Sequence, residues 1–234
     1  MNKATKLIIR LIFVFAIPVM VTTFTYLYLR KYFIEPIQKA NTKTVLVEIA
    51  PGMSFKDISS LLAMQQLIRA PWSLEIIARI KKTDKKISAG EYELSPSMTP
   101  LEILDKLSSG EVFQRRFTLK EGQTVSVIGG LVEKAGLITE IEFNEALVDP
   151  VLLAAAGVQA DSFEGYLFPE TYSFSRPITA RKIIWKMLST GEKHWPSEFS
   201  NRAYRLGYTK HEILTLASII EKESGNVEEQ PLIS

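Results

Sequence analysis

The 234-residue chain has no cysteine and only two histidines, His194 and His211. The first absence excludes a disulfide framework, a thiolate zinc site, an iron–sulfur cluster and a cysteine nucleophile. The second leaves little material for a histidine metal site or proton relay. No G-x-x-x-x-G-K-[ST] loop and no G-x-S-x-G elbow occurs, so nucleotide binding and serine-hydrolase chemistry lack their motifs. Gly and Pro, at 12 and 11 residues, are too few for a collagen-like or Pro-rich low-complexity chain. Neither a metal nor a cofactor is expected.

What is present is globular in kind. Hydrophobic residues make up 46% and charged residues 23%, enough apolar material for a buried core. The net charge of +2 is unevenly spread. Residues 1–43 carry seven Lys and Arg against Glu35 alone, whereas residues 44–234 carry 21 against 25 acidic groups. The body is therefore mildly acidic, which argues against a nucleic-acid partner.

Residues 11–29 run for 19 positions without a charge. As a helix they would reach about 28 Å, close to the hydrocarbon thickness of a bilayer. Lys3, Lys6 and Arg10 precede the run, and Arg30 and Lys31 follow it. Tyr26, Tyr28 and Tyr32 fall where an interfacial belt would lie. No small-residue cleavage site closes the run, so it reads as a transmembrane anchor and not as a signal peptide. The charge bias puts residues 1–10 in the cytoplasm and the body outside, with residues 30–43 as a polar linker.

The body contains an internal repeat. Val47–Ile68 aligns without gaps on Phe117–Ile138 at an offset of 70, with Gly52 on Gly122, Ser54 on Thr124, Ile58 on Ile128, Leu62 on Val132 and Leu67 on Leu137. Each copy reads as a short strand, a glycine turn, a Ser or Thr helix cap and an amphipathic helix. Residues 44–112 are expected to run strand–helix–helix–strand–helix, with Thr99 as a cap and Gly110 as a stop. This α+β module resembles a LysM-like domain, which implies glycan binding. The plainer alternative is a spacer for the domain that follows.

Two segments carry candidate chemistry. Ser162–Phe174 packs five aromatics and the carboxylates Glu164 and Glu170 around Gly165 and Pro169. Aromatic faces stack on sugar rings and carboxylates accept sugar hydroxyls. The competing reading is a buried loop whose aromatics are core. The second segment, Thr209–Gly225, opens with a Thr209/Glu212 capping box and places Ile213, Leu216, Ala217 and Ile220 on one expected buried stripe. Glu221 and Glu223 flank that stripe. A carboxyl at such a border can be partly desolvated and suited to general acid work, but a solvated acidic helix end is the plainer reading of the pattern alone. Periodicity does not choose between the two glutamates.

LASIIEKES (Leu216–Ser224) and EGYLFPETY (Glu164–Tyr172), behind an expected anchor and a LysM-like module, resemble the YceG-like family of membrane-anchored endolytic murein transglycosylases. The resemblance covers essentially the whole chain. It implies a lyase that cuts between N-acetylmuramic acid and N-acetylglucosamine in nascent glycan strands, leaving 1,6-anhydro ends. It also implies Glu223 as the catalytic residue. Glu164, Tyr166, Phe168, Glu170, Tyr172 and Ser224 are the expected substrate-binding residues, with no metal. The implied setting is the inner membrane, with peptidoglycan, the lipid bilayer and wall-synthesis machinery as partners.

The fold class expected is thus α+β: a transmembrane helix at 11–29, a LysM-like module at 44–112 and a partial YceG-like catalytic domain at 113–234. Family members usually continue well beyond the catalytic helix, so the catalytic domain is expected to be incomplete. A non-catalytic, anchored glycan-binding or scaffold protein is the alternative.

Overall fold

A computed structural model describes residues 3–83 and 86–223, with side chains from residue 15 onward. The chain divides into two compact units, residues 1–113 and 114–234.

The first unit contains α1 (Lys3–Phe33), β1 (Val45–Ile49), α2 (Phe55–Met64), α3 (Pro71–Lys81), β2 (Gly90–Leu94) and α4 (Pro100–Ser109). From β1 onward this is the expected strand–helix–helix–strand–helix order. β1 and β2 pair antiparallel with Val47 opposite Tyr92. Period-two alternation turns Val47 and Ile49 inward, onto Ile58 and Leu62 of α2, Leu74 of α3 and Ile103, Leu104 and Leu107 of α4. The caps are those that the sequence pattern requires. Ser54 accepts the Asp57 N–H, Thr99 and Glu102 form a capping box, and Gly110 ends α4 at φ 73°.

Among the described residues no helix is long and apolar enough to cross a membrane, and the span expected over 11–29 falls partly outside them. Residues 11–14 of that span lie outside the described side chains. The remainder of α1 mixes its apolar residues with Thr22, Thr23, Thr25, Tyr26 and Tyr28 before reaching Arg30 and Lys31. The connector expected at 30–43 makes specific contacts. Helix α1 runs on to Phe33, and Tyr32 and Phe33 pack on Trp72 with ring centroids 5.3 and 5.4 Å away. The Arg69 guanidinium donates to the carbonyls of Lys31 and Pro36, Gln38 N–H to Pro96 O, and Ser95 Oγ to Asn41 O. These bonds fix the connector to its own unit.

The second unit contains β3 (Arg115–Thr118), a single 3-10 turn (Val125–Val127), α5 (Ile128–Lys134), α6 (Glu140–Leu147), α7 (Pro150–Ala155), β4 (Thr171–Phe174), α8 (Ala180–Lys193), α9 (Ser197–Leu206) and α10 (Lys210–Glu223). β3 and β4 pair antiparallel with Phe117 opposite Tyr172. The repeat is thus wider than the aligned sequence. Each copy closes with a second, antiparallel strand carrying a buried tyrosine, after α2 and α3 in the first unit and after α5, α6 and α7 in the second. Tyr92 donates its hydroxyl to Ser88 O at 2.8 Å, and Tyr172 donates to Phe168 O at 2.7 Å, each four residues upstream. Ile58 and Ile128, Leu62 and Val132, and Leu67 and Leu137 are all buried. One aligned cap differs. Thr124 makes no side-chain cap bond, and Glu164 supplies the acceptor for that helix start from elsewhere in the chain, as described below.

The core of the second unit gathers around Phe143, Phe163, Ile183, Ile184 and Met187, with Phe117, Tyr172 and Phe174 stacked across the two-stranded sheet. Burial pushes the Tyr172 phenol up to about 12.

Candidate active site

Helix α10 begins with the expected capping box. The Thr209 N–H and hydroxyl both donate to Glu212 Oε2, at 2.7 and 2.9 Å, and the Glu212 N–H donates back to Thr209 Oγ1 at 3.2 Å. Those donors favour the ionised form, so the Glu212 carboxyl sits below its ordinary value. The expected buried stripe does not form. No side chain of α10 is buried among the described residues, Ile213 and Ile220 are half-buried, and Leu216 and Ile219 are 45% and 54% exposed. The helix lies on the surface of its unit instead of plugging into it.

Two glycines lie in the chain beneath α10. Gly165, at φ 77°, would bring a Cβ to 3.7 Å from Ser218 Oγ; Gly122, at φ 72°, would bring one to 3.7 Å from Glu221 Oε1. Both positions need the left-handed backbone that glycine adopts without strain. Further ties come from side chains. The Tyr166 hydroxyl and His211 Nδ1 are hydrogen-bonded at 2.7 Å, with the rings stacked at 9°. Lys210 pairs with Glu192 and lies 5.1 Å from the Trp195 ring centroid.

The segment 162–174 splits along its length, so both sequence readings hold, each for different residues. Phe163, Leu167, Tyr172 and Phe174 are core. Glu164, Tyr166 and Phe168 face clefts. Glu164 accepts the Val125 N–H at 3.1 Å, at the start of the 3-10 turn that leads into α5, where a carboxylate is favoured by the exposed backbone donors. Burial raises the Tyr166 phenol above its usual value.

An open cleft of about 690 Å³ brings together Glu164, Tyr166, His211 and Glu223, with Ser162, Ser218 and Lys222 on its walls. Glu221 points elsewhere, toward the turn of Lys120, Gly122 and Gln123 in a smaller cleft that Glu164 also borders. The two glutamates that periodicity could not separate therefore serve different surfaces.

The other expected site residues scatter. Phe168 stacks on His194 at 4.1 Å between centroids, in a neighbouring cleft that Glu221 reaches. Glu170 is exposed at the entry to β4, where its carbonyl accepts the Leu119 N–H. Tyr172, expected to meet substrate, is 2% exposed and belongs to the core, because its position in β4 faces inward opposite Phe117. Ser224 lies outside the described residues. His211 was not among the expected site residues. Only its spatial pairing with Tyr166 brings it into the cleft. Among the described residues no group of three or more His, Asp or Glu is placed to hold a metal ion.

A cleft walled by carboxylates, an aromatic ring and hydroxyls is the type of surface that holds sugars. The residues that build it fall within a match to the YceG-like family that extends over residues 47–234, and the chain belongs to that family. Among curated proteins it is similar to the endolytic murein transglycosylase of Streptococcus pneumoniae serotype 2 (strain D39 / NCTC 7466), at 28% identity over 232 residues, covering 85% of this chain and 40% of that protein. It is also similar to the endolytic murein transglycosylase of Bacillus subtilis (strain 168), at 26% identity over 210 residues, covering 83% of this chain and 58% of that protein. The chain thus spans well under two thirds of the length of these relatives. A solved yceG-like protein from Listeria monocytogenes aligns with a TM-score of 0.44 and 24% identity, over 80% of this chain and 66% of that one.

Proposed function

We propose that this chain acts on peptidoglycan as a lytic transglycosylase, cutting nascent glycan strands between N-acetylmuramic acid and N-acetylglucosamine with Glu223 as general acid and base. The observation that carries the reading is the cleft in which Glu223 stands with Glu164 and Tyr166, inside the family match. The names of the similar proteins point the same way.

A single carboxyl suffices for this chemistry, whereas ordinary glycosidases use two. Protonated Glu223 gives its proton to the glycosidic oxygen as the bond from that oxygen to C1 of the muramic sugar breaks. The 6-hydroxyl of the same sugar attacks C1, and its proton passes to the Glu223 carboxylate. The product is a 1,6-anhydro end, no water is consumed, and the acid is restored. Because the attacking hydroxyl is already attached to the reacting ring, the step gains from proximity. Glu223 is exposed in the free protein; a strand lying in the cleft would cover it and exclude water. Glu164, held by the Val125 N–H, and Tyr166, held by His211, are placed to accept and stack on the sugar.

The setting that goes with this substrate is the outer face of the inner membrane, with the body outside the cytoplasm. The exposed apolar side chains of α1 from Phe15 to Leu29 are a surface that lipid would cover. The strand–helix–helix–strand part of the first unit would bind the same glycan or space the site from the membrane, and wall-synthesis machinery is the expected protein partner.

The test is the chemistry of the new ends. Uncrosslinked glycan strands incubated with the full chain are expected to acquire 1,6-anhydro-muramic ends by mass spectrometry. Reducing muramic ends would mean hydrolysis, and intact strands would mean binding without cleavage.

A further inference from the structure

A second cleft, of about 520 Å³, shares a wall with the first: Tyr166 and His211 line both. Its other side is α8. That helix buries Ile183, Ile184 and Met187 in the core. On the outer side, Trp185, Ser189 and Glu192 recur at i, i+4 and i+7, and all three line the cleft. Trp185 is 38% exposed and is no part of the core cluster. Facing it are Gly157 and Gln159. Gly157 is in the left-handed region at φ 69°, and a Cβ there would meet nothing within 4 Å, so this wall stands clear of the indole. Lys210, neutralised by Glu192, lines the same cleft.

A large aromatic face that the fold does not need for its core thus stands beside an amide, a hydroxyl and a paired, nearly neutral ion pair. An indole face stacks on the C–H face of a pyranose, and amide and hydroxyl groups bond its acetamido and hydroxyl substituents. The neutral charge balance suits an uncharged N-acetylated sugar better than a carboxylate-bearing peptide. We propose that this second cleft is a subsite for an N-acetylated sugar of the same glycan strand, reached from the Glu223 cleft across the Tyr166–His211 pair, with Trp185 as its stacking platform. The proposal rests on the glycan reading above and adds a location for a sugar away from the reacting bond.

The test uses the full chain carrying Glu223→Gln, titrated with the N-acetylglucosamine tetramer by calorimetry. Saturable binding is expected. Adding Trp185→Ala should weaken it about tenfold, the scale of one stacked aromatic partner, and Trp185→Phe, which keeps a ring face, should restore most of the loss. Absence of tetramer binding, unchanged affinity in Trp185→Ala, or a Phe variant as weak as the Ala variant would each overturn the subsite. If the ring-dependent binding holds while the unmutated chain produces no anhydro ends, the lytic reading falls and the subsite stands.

Discussion

Helix α10 carries the proposed acid, yet none of its described side chains is buried. Side-chain ties therefore matter to its position, and the Tyr166–His211 hydrogen bond at 2.7 Å is one that reaches into the cleft. Tyr166→Phe removes that bond while keeping the ring that stacks on His211. A neutral hydrogen bond contributes about 0.5–1.5 kcal/mol net, which corresponds to about a 2- to 12-fold change in an equilibrium constant. Tyr166 is half-exposed at the cleft, so the lower part of that range applies. Hydrogen exchange of the α10 amides, read by mass spectrometry on the full chain, should speed up several-fold. The global melting temperature should hardly move, because Phe143, Phe163 and the rest of the core are untouched. Exchange in α10 that changes less than twofold would refute the reasoning and assign the helix's placement to other contacts.

Phe163→Ala acts at the opposite extreme: this ring is fully buried, and its loss should destabilise the second unit by about 3–5 kcal/mol, seen as a lowered unfolding midpoint in urea. Glu212 gives a pH signature. Its carboxyl is held below the ordinary value of 4.5 by Thr209, so its capping contribution is complete above that value and is lost as the pH falls through the lowered one. Amides of the first turn of α10 should exchange faster at low pH for a given intrinsic rate, and Glu212→Gln should abolish that pH dependence.

The regular parts of this chain were legible because they rest on local signals. Ser54, Thr99 and Thr209 announce helix starts, Gly110 announces a stop, and the offset-70 repeat places buried residues in both copies. The pairing of Tyr92 and Tyr172 was not legible, since the two lie 45 and 55 residues from their strand partners Val47 and Phe117, and no local pattern encodes a partner so far away. The same limit bears on Tyr172, which the family resemblance implied as substrate-binding while its strand register makes it core. The α10 stripe failed for a different reason. Helical periodicity says which residues share a face but not whether anything covers that face, and among the described residues Leu216 and Ile219 remain exposed. Glu223 and Glu221 were separable only in space. Two residues apart on a helix they differ by about 200°, and it took the positions of His211 and Gly122 to show which surface each one serves.

The most direct measurement compares the unmutated full chain with Glu223→Gln on uncrosslinked nascent glycan strands, with Glu221→Gln alongside and mass spectrometry of the products. A 1,6-anhydro-muramic product from the unmutated chain and from Glu221→Gln, and its absence from a folded Glu223→Gln variant, is the predicted result. Full product formation by Glu223→Gln would contradict the assignment, and loss in Glu221→Gln alone would transfer the role to the cleft beside Gly122.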